Sequence, residues 1–254
     1  GWFTMHEKFG SLPFNEILEE PIWYAENGFP VSEAISNSWQ SSARWLKNQS
    51  GSFLETFTIN GEGPKKGQIF KNKDLANTFR LLAREGKDIF YRGEIAIKID
   101  AWMKENGGYL RYEDFVNHES EWVTPQSLNY RGYDVFQVGG NVQGTAVLQM
   151  LNILEGFNLK ELGFSSAETL HLLIETKKIV FEDRAKHYAD PAFHDIPYEI
   201  LLSKQYREIR RALITDTARV DISTGVDVLE DGDTIYLTTA DQYGNMVSLI
   251  QSNF

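Results

Sequence analysis

No cysteine occurs among the 254 residues, which excludes thiol nucleophiles, disulfides, iron-sulfur clusters and cysteine-held structural zinc. Positive charge is scarce as well: 25 Lys and Arg stand against 36 Asp and Glu, a net charge of −11. Binding a phosphate backbone needs clustered cations that displace counterions, so nucleic acid is excluded as a partner. The one basic stretch, 62–104, carries its Lys and Arg at mixed spacings on expected helices and reads as a solvated helical face. There is no run of about 18 apolar residues, so no membrane-spanning segment is expected. His6, His118, His171, His187 and His194 include no pair at i, i+4 beside a glutamate, so no metal site is expected. The run Gly139-Gly-Asn-Val-Gln-Gly144 lacks the P-loop lysine and the dinucleotide fingerprint, and it reads as a strand-to-helix turn. The chain opens without methionine, basic n-region or apolar h-region and stops inside a β-like run, as a piece of a longer chain would.

What is present is ordinary globular usage, 42% hydrophobic, 24% charged and 13% aromatic, which argues against disorder and low complexity. At 29.1 kDa a compact fold would expose roughly 11,000 Å² of the roughly 42,000 Å² of the unfolded chain. The match of Asn48-Gln49-Ser50 to a glycosylation sequon is a three-residue pattern frequent by chance.

Periodicity and caps predict a mostly helical first two-thirds. Helices are expected over 14–27, ended by Gly28 and Pro30, and over 31–48, capped by Ser32 with Glu33 in the first turn. A Gly-Pro-Lys linker is expected over 51–67. The helix expected over 73–86 opens with Asp74 and places Leu75, Phe79 and Leu82 on one buried face. A further helix over 93–106 is closed by Gly107 and Gly108, and Glu113-Asp114 reads as another helix start. The alternation in 133–138 predicts a strand, followed by an apolar helix over 143–155. Ser165-Ser-Ala-Glu168 forms a capping box for a helix carrying Leu170, Leu173, Ile174, Ile179 and Phe181. A last helix is expected over 203–218. Asp183-Arg184, late in the long helix, reads first as a structural ion pair and second as a catalytic one.

The final segment is a β-hairpin by its pattern. Glu230-Asp-Gly-Asp233 is a polar turn, 234–240 is β-branched and aromatic, and 241–245 is a loop with Gly244 at the left-handed position. Pairing Asp241 with Asn245 sets Thr234 opposite Ser252, about 5 Å apart at Cβ. A slip by one residue would put them on opposite faces, so the inference hangs on the loop length. Taken alone, a threonine opening such a strand is an ordinary strand former.

A set of runs recurs in order along the chain: Glu20-Pro21, Ala25-Glu-Asn-Gly-Phe-Pro-Val31, Asp74-Leu-Ala-Asn-Thr-Phe-Arg80, Ile89-Phe-Tyr-Arg-Gly-Glu-Ile-Ala96, Asn106-Gly-Gly108, Gln143-Gly144, Leu148-Gln-Met-Leu-Asn-Ile-Leu-Glu-Gly156, Asp183-Arg184, Ala189-Asp-Pro191 and Asp233-Thr234. In that order and spacing the chain resembles the γ-glutamyltranspeptidase family, a divergent bacterial-type member. The resemblance implies an α+β N-terminal-nucleophile hydrolase, an αββα sandwich, of which this segment is the mostly helical part with a C-terminal β-hairpin. It implies a precursor that cuts itself between Asp233 and Thr234. Residues 1–233 would be the C-terminal part of a large subunit, and 234–254 the start of a small one. Thr234 would be the nucleophile, transferring an acyl or γ-glutamyl group from a small amide such as glutathione to water or an amine. No cofactor is implied. Threonine is a poor nucleophile without an adjacent base, and cleavage would free an α-amine on the same residue.

By the same resemblance Ser252 orients Thr234, its rival reading being a routine cross-strand pair. Ile235 and Tyr236 stand where the best-known members have Thr-His, and Phe254 stands where they have the Asn that holds the glutamyl α-amino and carboxylate end. Phenylalanine neither donates nor accepts there, which opens the alternative of an acylase on a different amide. A non-catalytic, unprocessed scaffold is the reading from another class. The family's upstream arginine and its downstream oxyanion-hole glycines, paired serines and acidic ligand fall outside these 254 residues, so this piece by itself is expected to be inactive.

Overall fold

Helix-forming periodicity governs most of the chain, and the computed structural model, which describes residues 1–48, 51–140, 142–220 and 234–252, is helix-rich with small sheets. It divides into two compact units, Gly1–Trp122 and Val123–Phe254.

In the first unit, helices Phe14–Ile17 and Glu19–Asn27 cover the range expected for one helix, interrupted at Leu18, which is itself buried. Ser32 caps Glu33–Trp45 by accepting the Ile35 N–H, as its sequence position predicts. Helix Lys73–Glu85 differs from expectation in two ways. Its cap is Asn72, whose side chain accepts the Leu75 N–H at 2.9 Å. Its buried positions are Ala76 and Leu82, while Leu75 lies exposed, because helix Glu19–Asn27 packs closely enough to select the small side chain. Strands Phe29–Pro30 and Ile69–Phe70 pair antiparallel, a ladder too short to show as alternation. The expected linker over 51–67 contains helix Phe53–Phe57. The basic stretch is solvated as predicted, its cations paired with exposed carboxylates such as Glu26 for Arg80 and Asp88 for Arg92.

In the second unit, strand Tyr133–Gln137 appears as predicted and pairs with Gln126–Tyr130, a strand the composition of its segment did not betray. The turn into helix Gly144–Leu154 needs glycine: a Cβ on Gly144 would lie 2.0 Å from the Val138 carbonyl oxygen. That helix packs on the long helix Ala167–His187, and Ala146, Ile153, Ile179 and Val180 form the core between them. The cap of the long helix is Ser166, accepting the Thr169 N–H at 3.1 Å; Ser165, expected to open the capping box, sits one residue outside in the left-handed region. Of the apolar residues that the sequence puts on this helix, Leu170 and Ile174 are exposed, whereas Glu175, Thr176 and Asp183 are buried. The final helix is shorter than expected, Lys204–Arg211, with Ser203 as its cap.

Three two-stranded sheets form among the described residues, each antiparallel.

Candidate active site

The hairpin of Thr234–Ala240 and Met246–Ser252 is set by its loop. Asp241 Oδ1 accepts the backbone N–H groups of Tyr243 and Asn245, both at 2.9 Å, and Oδ2 accepts the Asn245 side-chain amide at 2.8 Å. Those donors, the Asn245 amide foremost, hold the Asp241 carboxyl below its ordinary value. Gly244 takes φ +85°, which closes the turn. The register that follows is the one predicted from loop length, from Ala240↔Met246 to Thr234↔Ser252. Along the way the Tyr236 hydroxyl shares a hydrogen bond with Ser248 Oγ at 3.1 Å. Asp233 and Phe254, expected at the processing position and the substrate end, lie outside the described residues.

A second polar centre, which the sequence did not reveal, is buried between helices Gly144–Leu154, Ala167–His187 and Lys204–Arg211. Its hub is the Asp183 carboxylate, 4% exposed as a residue. Oδ1 accepts from Arg210 Nη2 at 2.6 Å and from the Tyr206 hydroxyl at 2.7 Å, and Oδ2 accepts from Gln149 Nε2 at 3.0 Å. Gln149 in turn accepts from the Tyr188 hydroxyl. Burial, followed by the bond to Asp183, pushes the Tyr206 phenol up to about 12; burial, followed by the Asp183 charge, raises that of Tyr188. The expected pairing of Asp183 with Arg184 is therefore corrected. Consecutive helical residues point about 100° apart, so the carboxylate meets Arg210 of another helix while Arg184 lies over the Phe181 ring. A cavity of about 460 Å³ opens beside this centre, lined by residues 182, 183 and 185–187 of the long helix and by Tyr206 and Arg210.

Farther along the same helix, Glu175 accepts from Lys178 Nζ at 2.7 Å and from the Arg219 N–H at 3.2 Å. Burial acts to raise the Glu175 carboxyl, but these two donors outweigh it and hold the group below its usual range. In the sequence Glu175 and Asp183 are two of four acids on a helix of mixed polarity, and nothing in that pattern marks them as the buried ones.

Hairpin, strand-to-helix turn and collinear motifs together define a class, and comparison with known proteins bears it out. The γ-glutamyltranspeptidase family model matches residues 1–254, and the chain belongs to that family. It is 37% identical over 251 residues to a glutathione hydrolase-like YwrD proenzyme of Bacillus subtilis, covering 99% of this chain and 47% of that protein. It is also 37% identical over 254 residues to an acylase ACY 1 proenzyme of a Pseudomonas species, covering 99% of this chain and 45% of that one. Among solved structures, a cephalosporin acylase from Bacillus halodurans superposes with a TM-score of 0.87 at 33% identity, over 99% of this chain and 46% of that one. Helicobacter pylori γ-glutamyltranspeptidase superposes at 0.81 and 27% identity, over 90% and 67%. The chain thus spans about half the length of the curated relatives it matches.

Proposed function

We propose that residues 1–254 belong to a self-processing acyl-transfer enzyme whose precursor is cleaved between Asp233 and Thr234. Residues 1–233 then end the large subunit and 234–254 begin the small one, within an αββα sandwich completed by the rest of the small subunit. The observation that carries this reading is the hairpin register: Thr234 opens its strand as the partner of Ser252. Membership in a family whose relatives are named proenzymes supports it.

In processing, Thr234 Oγ adds to the Asp233 carbonyl carbon, and the hydroxyl proton passes to the Thr234 nitrogen as the C–N bond breaks. The resulting ester is hydrolysed by water, which leaves an Asp233 carboxylate, a free Thr234 hydroxyl and a free α-amine. In turnover that α-amine takes the Oγ proton while Oγ attacks the substrate amide. The proton goes to the departing amine, and water or an acceptor amine then resolves the ester. Ser252 orients the nucleophile in both steps.

The first substrate reading is a γ-glutamyl amide such as glutathione. A second, an acylase on another amide, is favoured by Phe254 in place of the family asparagine and by the similarity to proteins named acylases. Intact mass of the whole precursor after a day at neutral pH, beside Thr234→Ala, tests the processing step. Two fragments meeting at Asp233 and Thr234 in the wild type, with an uncut variant, are expected. One uncut mass for both makes Thr234 an ordinary strand residue and leaves a non-catalytic scaffold. Turnover of γ-glutamyl against other acyl anilides by the cleaved enzyme then separates the two substrate readings.

A further inference from the structure

The cavity beside Asp183 has more donors around it than its own acids take up. Four charges cancel in pairs: Arg210 Nη2 meets Asp183 at 2.6 Å and Glu182 at 3.4 Å, and Arg219 Nη2 meets the other Glu182 oxygen at 2.8 Å. With Tyr206 and Gln149 on Asp183, each of the four carboxylate oxygens of Glu182 and Asp183 has a donor. The guanidinium of Arg210 is not used up in this. All its bonds run through Nη2, while Nε is buried without a partner and Nη1 makes no bond among the described residues. Lys186 and His187 line the cavity too, and among the described residues neither side chain has an ion pair or a hydrogen bond.

Basic residues in the last turn of a helix complement its dipole, which is reason enough for Lys186 and His187 to be basic. It does not account for what they face. The end of the long helix and the helix Lys204–Arg211 enclose about 460 Å³, within the roughly 300–1,000 Å³ of small-molecule pockets. Ala185 and Tyr206 give part of that cavity an apolar wall. One surplus cation beside an apolar wall suits a ligand that carries both characters. Acetate or inorganic phosphate would meet the donors but leave the wall in water.

We propose that this cavity is a binding site for a small organic carboxylate. Its oxygens accept from the Lys186 ammonium, the His187 ring and Arg210 Nη1, and its apolar body lies against Ala185 and Tyr206. Bonds of this charge-assisted kind are the strong ones for a carboxylate, and the Arg210 fork is held in place for them by Asp183. The inference does not rest on the processing reading above, because the residues that carry it all belong to the helices Ala167–His187 and Lys204–Arg211.

The test is calorimetric titration of the whole protein with benzoate, acetate and inorganic phosphate. A Thr234→Ala background keeps the chain whole whether or not the wild type cleaves itself. Benzoate is expected to bind one to one, and acetate and phosphate about tenfold more weakly or worse. Lys186→Glu is expected to weaken benzoate about tenfold or more, and Lys186→Arg to hold it within about threefold. His187→Phe, which keeps an aromatic ring without its nitrogens, is expected to weaken it about fivefold. Lys177→Ala removes a cation of the same helix that lies over the Phe181 ring and should leave the affinity unchanged. Arg210 is left intact because the buried Asp183 depends on it, whereas Lys186 is exposed and its variants keep the fold. No saturable binding of benzoate overturns the site. So does binding that Lys186→Glu leaves unchanged, because the ligand then sits elsewhere. Phosphate bound as tightly as benzoate overturns the assignment to an organic carboxylate.

Discussion

Asp241 accepts the backbone N–H of Asn245 at 2.9 Å, and this bond at one end of the hairpin fixes which residues face each other at the other. Because side chains alternate with a period of two, a slip of one residue in that loop would part Thr234 from Ser252 entirely.

Asp241→Ala is therefore expected to slow self-cleavage of the whole precursor about three- to tenfold at neutral pH, by loosening the register. The folded carboxyl lies below its ordinary value, so its stabilising effect is present above about pH 3.9 and is lost as pH falls through the folded value. Amide hydrogen exchange at Asn245 in wild type should accelerate below about pH 4, whereas in the alanine variant that acid-dependent step should be absent.

Asp183 and Arg184, adjacent in the sequence, should behave quite differently on truncation. Asp183→Ala leaves Arg210 buried without its partner and is expected to cost about 3–5 kcal/mol in urea unfolding. Arg184→Ala removes a contact with the Phe181 ring and is expected to cost under about 1 kcal/mol. Equal losses would mean that Arg184 shares the Asp183 carboxylate after all.

Tyr206→Phe removes one donor from the same carboxylate and should cost about 1.5 kcal/mol, the low end for a bond to a charged group because the phenol is only half-buried. Its folded value near 12 is raised above the ordinary 10, so the stabilisation is complete below about pH 10 and is lost as pH rises through about 12. Ultraviolet titration of tyrosinate, wild type minus Tyr206→Phe, should show this residue ionising near 12 and not at the ordinary 10.

On the proposed reading, in which Phe254 stands at the substrate end, Phe254→Asn supplies a donor and acceptor there for the glutamyl α-amino and carboxylate groups. In the cleaved whole enzyme it is expected to raise kcat/KM for a γ-glutamyl anilide by about tenfold relative to an uncharged acyl anilide. An unchanged ratio would mean that this position does not read the substrate's charged end.

The parts of this protein legible in the sequence are those written in local spacing. Ser32 at a helix start, the strand at 133–137 and the left-handed Gly244 each declare themselves within a few residues, because caps, alternation and turns are short-range physics. The Thr234↔Ser252 pairing followed from counting outward from a loop. Family membership was legible for a similar reason, since ordered motifs survive in a linear string. Even within helices, however, the pattern misjudged which residues turn inward: Leu75 looked like core and is exposed, and Ala76 took the interior. A helical period says that residues share a face, but not which neighbour that face meets.

The Asp183 centre and the contact of Glu175 with Arg219 were decided by tertiary structure alone. Their partners lie 23 to 44 residues away along the chain, from Tyr206 to Asp183 and from Arg219 to Glu175. A buried carboxylate is tolerated only where packing delivers donors to it; the sequence around Asp183 carries no record of its donors, and that around Glu175 holds only Lys178. The sequence by itself determined the hairpin, most helix ends and the family. Only the folding together of three helices determined which of their charges are buried, because desolvation and pairing depend on distances through space that no local pattern encodes.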